Sequence, residues 1–179
     1  VVDLVAKILR CHESLREAQI PHAFGGALAL AWCTLQARGT IDIDINLLVG
    51  AERIEATLAG LPEGVVWDAA DLAQLRKDLQ HRLWWDVTPI DLFFNSTGYH
   101  EELGNRVRYE EFAGQSLPFL SCLDLAVFKA CFDRTKDWAD LEAMQEAGTL
   151  NVPEVVAVIA TLLGPDDIRV PKLWALQRP

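Results

Sequence analysis

Two aspartates, Asp42 and Asp44, interrupt the apolar run IDIDINLLV at residues 41–49. In an extended strand, residues i and i+2 share a face, about 6.6 Å apart along the chain. The two carboxylates therefore project together, and Ile41, Ile43 and Ile45 are expected to face a core. Two ionised carboxylates side by side repel and are costly to bury, and a divalent cation held between them removes both costs. For a lone pair of this kind a solvated sheet edge is the better account, so the weight falls on its companions. Asp91, in PIDLFF, is again a single carboxylate in an apolar β run, and it joins the others if its strand pairs beside theirs. Gly25 and Gly26 stand between HAF and the helix-forming ALALAWCTLQA. Backbone without Cβ atoms approaches a phosphate closely, and a helix N-terminus turns free N–H groups toward an anion. Lys129 lies mid-helix in LDLAVFKACF, and Arg134, Lys136 and Asp137 cluster at the corner that follows.

The elements that must hold these residues are legible in outline. Residues 2–18 place Leu4, Val5, Ile8, Leu9 and Leu15 on one helical stripe. A short strand leads into Gly25-Gly26, a helix runs to about Ala37, and Arg38 and Thr40 shape the entry to the DxD strand. Helices are expected at 51–59 and 70–79, with a short strand at 64–68. RLWWDVTPIDLFF reads as one strand, or as two joined near Pro89, because proline cannot donate to a central ladder. RVRYEEFAGQSLPFLS reads as a hairpin turning at Gly114. From Ser121, a capping residue, the pattern becomes helical: one helix to about Asp133, a second in DWADLEAMQEA, and a third in VPEVVAVIATLL. The fold class expected is α+β, a mixed sheet with flanking helices over residues 1–118 and a C-terminal helical region over 119–179.

Composition narrows the function. Of 179 residues, 51% are apolar, enough for a real core, and no run approaches a membrane span. A net charge of −10 argues against broad, non-specific DNA binding, although eight cations (Arg76, Lys77, Arg82, Arg106, Arg108, Lys129, Arg134 and Lys136) suffice for a triphosphate pocket. Cys11, Cys33, Cys122 and Cys131 show no CxxC spacing and the histidines no HxxxH pair. Neither zinc nor a disulfide framework is expected, and a reducing cytoplasm is the expected setting. Trp84 and Trp85 offer a surface for stacking on a base, with at least one of them expected in the core.

Taken in order, GGALALAW, RGTIDIDINLLV, PIDLFF and LDLAVFKACFDRTKDWADLEAM resemble the nucleotidyltransferase superfamily that shares the DNA polymerase beta palm fold. More narrowly, they resemble the bacterial minimal nucleotidyltransferases and AbiEii-type proteins. The resemblance runs from about His22 to Ala147. It departs at Gly25-Gly26, where many active members carry Gly-Ser and gain a serine contact to the triphosphate. It implies transfer of a nucleoside monophosphate from a nucleoside triphosphate to an acceptor hydroxyl on a protein, RNA or small molecule. Asp42, Asp44 and Asp91 would hold Mg2+ or Mn2+, with Asp91 nearer the acceptor hydroxyl. Gly25, Gly26 and Lys129 would meet the triphosphate. Lys136 and Asp137 would either contact substrate or hold the two tail helices together. The resemblance also implies a cognate toxin or antitoxin partner. The alternative is a catalytically silent member serving as a binding or structural module.

Overall fold

The structure, a computed structural model, describes residues 3–36 and 39–177. Val1, Val2, Ala37, Arg38, Arg178 and Pro179 lie outside them, and with them the expected role of Arg38. Two compact units are distinguished: residues 1–28 with 39–119, and residues 29–38 with 120–179.

The first unit opens with helix α1 (Leu4–Glu17), strand β1 (His22–Phe24) and the start of helix α2 (Gly26–Thr34). Strand β2 (Ile43–Leu47), helix α3 (Ile54–Ala59), strand β3 (Val65–Val66) and helix α4 (Ala69–Asp78) follow. The unit continues through β4 (Gln80–Trp85), β5 (Thr88–Phe94), the short helix α5 (Gly98–Glu101), β6 (Arg108–Phe112) and β7 (Gln115–Phe119). The strands form one mixed sheet in the order β3-β4-β5-β2-β1-β7-β6. Its centre is the parallel pair β2–β5, flanked by the antiparallel pairs β4–β5 and β1–β2. Phe24, Ile43, Ile45, Leu83, Ile90, Leu92 and Phe119 form its fully buried layer.

Several expectations need correction. Strand β2 begins only at Ile43, so Ile41 is 77% exposed instead of facing the core, while Ile43 and Ile45 are fully buried. The turn between β4 and β5 falls at Asp86-Val87, where Asp86 takes φ +51°, and not at Pro89. Pro89 is tolerated inside β5 because the β2 ladder starts one residue later, at Ile90, so its missing N–H is needed on neither side of a full ladder. On α1, Lys7 is buried and Val5 is 38% exposed. The Lys7 ammonium reaches past the apolar stripe to donate to the Trp85 carbonyl at 2.7 Å and to Thr88 Oγ1 at 3.0 Å, which rotates the inward face toward it. The hairpin at Gly114 forms as expected, with Ala113 and Gly114 both at positive φ.

The second unit contains the rest of α2 together with α6 (Cys122–Phe132), α7 (Thr135–Glu146), α8 (Val152–Leu163) and α9 (Arg169–Leu176). Ser121 caps α6 by accepting from the Asp124 amide at 3.1 Å, and Asn151 caps α8. Leu125, Leu141, Met144, Val155, Ile159 and Leu173 are fully buried in or near its core. Contrary to the cysteine spacing, Cys33 and Cys122 are joined by a disulfide. Spacing rules detect local motifs, and these two lie 89 residues apart on helices that only tertiary folding brings together. Among the described residues no helix is long and apolar enough to cross a membrane.

Candidate active site

The parallel register of β2 and β5 sets Asp44 directly beside Asp91. The antiparallel register of β4 and β5 then sets Arg82 beside Asp91 on its other flank. One face of the sheet thus carries Asp44, Asp91 and Arg82 in a single row, with neighbouring strands about 4.8 Å apart. Arg82 grips Asp91 with a two-pronged pair: Nε donates to Oδ1 at 2.7 Å and Nη2 to Oδ2 at 2.6 Å. The same Nη2 stands 4.0 Å from Asp42 Oδ2. These hydrogen bonds to Asp91 are the main reason the guanidinium is held still more firmly protonated than usual, with the charges of Asp42 and Asp44 adding to the effect. Asp42 precedes β2, and Thr40 Oγ1 donates to its carboxylate, so the threonine expected only at the strand entry also steadies an acid.

At the other end of the row lies the start of α2. The Gly25 amide donates to the Asp44 carbonyl at 2.9 Å, extending the β1–β2 ladder by one rung. Gly26 takes φ +52°, and a Cβ built there would fall 1.8 Å from Asp44 Oδ2. The absent side chain is what admits the Asp44 carboxylate against the helix N-terminus. Asp42, Asp44, Asp91, Gly25 and Gly26 therefore come together within the first unit, on an open sheet face. A separate concavity of about 700 Å³ is lined by residues 48–50 and 95–98, past the ends of β2 and β5.

The two tryptophans divide their roles. Trp85 is 8% exposed and buried, whereas Trp84 is 48% exposed, two residues along β4 from Arg82 and on the same face. Lys129 and Lys136 belong to the second unit. Lys129 is buried on α6, donates to Asp140 Oδ2 at 2.6 Å and stands 3.8 Å from Asp137 Oδ1. Its partners are these two acids of α7, while Asp133, at the end of α6, accepts from Lys172 and from the Trp138 indole. Asp137 is further held by Arg134 Nε at 2.6 Å, and Lys136 is exposed in the first turn of α7.

In the sequence Arg82 is one of eight cations with no place assigned to it. A signal for it exists in the hairpin. With the turn at Asp86-Val87, the residue four before the turn faces the residue four after it, and those are Arg82 and Asp91.

No protein-family profile matches the chain, and no curated protein matches it significantly. Solved structures do. The solution structure of the antibiotic-resistance factor ANT(2'')-Ia matches with a TM-score of 0.62 at 15% identity, over 88% of this chain and 90% of that one. The crystal structure of ANT(2'')-Ia in complex with adenylyl-2''-tobramycin matches with a TM-score of 0.61 at 15% identity, over 88% and 95%. An antigenic nucleotidyltransferase-like protein from Paracoccidioides brasiliensis follows at TM-score 0.51 and 14% identity, over 95% and 90%. The fold is that of the nucleotidyltransferases.

The sequence resemblance implies a divalent cation, and the chemistry of the residues present bears on whether one fits. Three aspartates supply the hard oxygen donors that Mg2+ and Mn2+ take. Two of them are neighbours across a parallel ladder, and the third precedes Asp44 by two residues. Among the described residues no three His, Cys, Asp or Glu side chains are already gathered as ligands. Both oxygens of Asp91 are turned to Arg82. In donor type Asp42, Asp44 and Asp91 suit such an ion, and the strand register places Asp44 and Asp91 side by side to hold one.

Proposed function

We propose that the chain is a metal-dependent nucleotidyltransferase that moves a nucleoside monophosphate from a nucleoside triphosphate to an acceptor hydroxyl. One observation carries this reading: Asp44 lies in register with Asp91 and, at the same time, against the glycine that opens α2. Acids for a metal and a helix N-terminus for a phosphate meet at one residue.

The residues divide the work as follows. The N-terminal amides of α2, bared by Gly25 and Gly26, face the triphosphate and favour its negative charge. Mg2+ or Mn2+, held by Asp42, Asp44 and Asp91, would supply charge neutralisation on the triphosphate and make the acceptor hydroxyl easier to ionise. Asp91, on the flank away from α2, takes the hydroxyl proton. The acceptor oxygen then bonds to the α-phosphorus, the bond from that phosphorus to the bridging oxygen breaks, and pyrophosphate leaves with the electron pair. Lys129 and Lys136 take no part in this proposal, which is confined to residues of the first unit.

Calorimetry with a nonhydrolysable nucleoside triphosphate tests it. Binding is expected to need Mg2+ and to be lost in Asp44→Asn, while the melting temperature of the metal-free variant stays the same or rises slightly because one of two neighbouring carboxylates has lost its charge. Equal affinity with and without the ion would leave the catalytically silent module as the reading. A large fall in melting temperature would make Asp44 a structural residue instead.

A further inference from the structure

We infer that Arg82 is a latch on Asp91: it occupies the carboxylate that a divalent cation needs, and the cation must displace it before the site is complete. The inference rests on reading Asp42, Asp44 and Asp91 as the ion-binding set.

Three features carry it. The first is saturation. A guanidinium fork matches a carboxylate with two parallel N–H···O bonds, and at 2.7 and 2.6 Å both Asp91 oxygens are used. The second is position. Arg82 flanks Asp91 on the side away from Asp44, and its Nη2 also leans toward Asp42 at 4.0 Å. One cation thus stands in for part of the charge that an ion would neutralise. The third is the freedom to leave. The Arg82 side chain is 48% exposed while Asp91 is 17% exposed, so the arginine can swing into water on its own stem with β4 unmoved. A doubly charged ion beside Asp91 repels the guanidinium and competes for the same oxygens. The two occupants therefore exclude one another, and the acids gather as a set only when the ion arrives.

The competing account is an ordinary cross-strand ion pair that persists when the ion binds. Arginine and lysine separate the two, because lysine keeps the charge and loses the fork. Mn2+ alone is titrated into the metal-free protein, followed by calorimetry or by the spin signal of the free ion, for wild type, Arg82→Lys and Arg82→Met. The latch predicts that Arg82→Met binds Mn2+ about fivefold tighter and Arg82→Lys at least about twofold tighter, the scale set by a cross-strand charge pair. Thermal unfolding checks that each variant is folded. If Arg82→Lys matches wild type while Arg82→Met is tighter, Arg82 contributes only its charge and the latch is overturned. Equal affinity in all three also overturns it. Absence of Mn2+ binding in wild type and Arg82→Met alike would overturn the ion-binding reading itself, a distinct result. Loss of binding in Asp44→Asn shows that the titrated site is this one.

Discussion

At Gly26 the backbone takes φ +52°, a region that costs a residue with a Cβ about 1–2 kcal/mol. A Cβ there would also fall within 1.8 Å of Asp44 Oδ2 and 2.5 Å of its Cγ. These two penalties act on different things. The first is paid by the backbone, and the second is relieved only by moving the Asp44 side chain. Gly26→Ala is therefore expected to lose roughly 1–3 kcal/mol in urea denaturation and to weaken metal and triphosphate binding together. Gly98→Ala is the control, since a Cβ there meets nothing within 4 Å and the position opens helix α5. If Gly26→Ala binds both ligands normally, the close approach of glycine and carboxylate has no functional purpose.

At the scale of elements, the parts legible in sequence were those with local signals. The alternation in β2, the glycine pair before α2, the hairpin at Gly114 and the capping serine of α6 each announce themselves within a few residues. Pairing across distance was not legible. That β5 lies parallel to β2, aligning Asp91 with Asp44, is set by tertiary packing between distant segments; the residues alone offer Asp91 as a third acid only on condition that its strand pairs beside β2, and the resemblance, not the spacing, supplies that condition. Lys129 shows the same limit. Its helix was clear, but its partners lie on the next helix, where Asp140 and Asp137 surround a buried ammonium. Removing one member of such a cluster leaves the others buried without compensation. Lys129→Met is expected to lower stability by about 3–5 kcal/mol in urea denaturation. A stable Lys129→Met protein would show that the cluster relaxes into solvent. A second element-level test concerns β1 and α1. His22 Nδ1 lies 2.9 Å from the Ile20 carbonyl, which can only accept, so His22 carries its proton there and its Nε2 accepts from His12 Nδ1 at 3.0 Å. Burial pushes the His22 pKa down to about 4, and burial followed by the charge of Arg16 lowers that of His12. The folded state therefore prefers neutral His22, and the unfolded state, titrating near about 6.5, takes up the proton first. The stability is fully present above that value and declines as pH falls toward 4, by roughly 3 kcal/mol in total for His22. Melting temperatures of wild type are expected to fall between about pH 7 and about pH 5, with a shallower fall in His22→Gln. Identical slopes would remove His22 from the account.

At the scale of the whole molecule, the chain leaves the second unit after residue 38 and returns to it at residue 120. The unit is thus built from two separated pieces, and the Cys33–Cys122 disulfide joins one to the other. The Thr149 hydroxyl adds a second tie by donating to the Cys33 carbonyl at 2.6 Å. A hydrogen bond of that kind forms only once the unit is folded, whereas a disulfide also restrains the unfolded chain. With the cysteines 89 residues apart in sequence, closing the loop in the unfolded state is worth about 4–5 kcal/mol in the chain-entropy account. Reduction is therefore expected to lower the unfolding midpoint strongly. Cys11 is buried, with its thiol pushed up to about 12 by that burial, and is slow to react while the protein is folded. The deciding measurement is a thiol titration in denaturant without reductant, beside melting curves with and without reductant. Two titratable thiols, from Cys11 and Cys131, and a reductant-sensitive midpoint fit the bridge. Four thiols and an indifferent midpoint would mean that Cys33 and Cys122 sit side by side as free thiols, leaving packing and the Thr149 contact to hold the two pieces together.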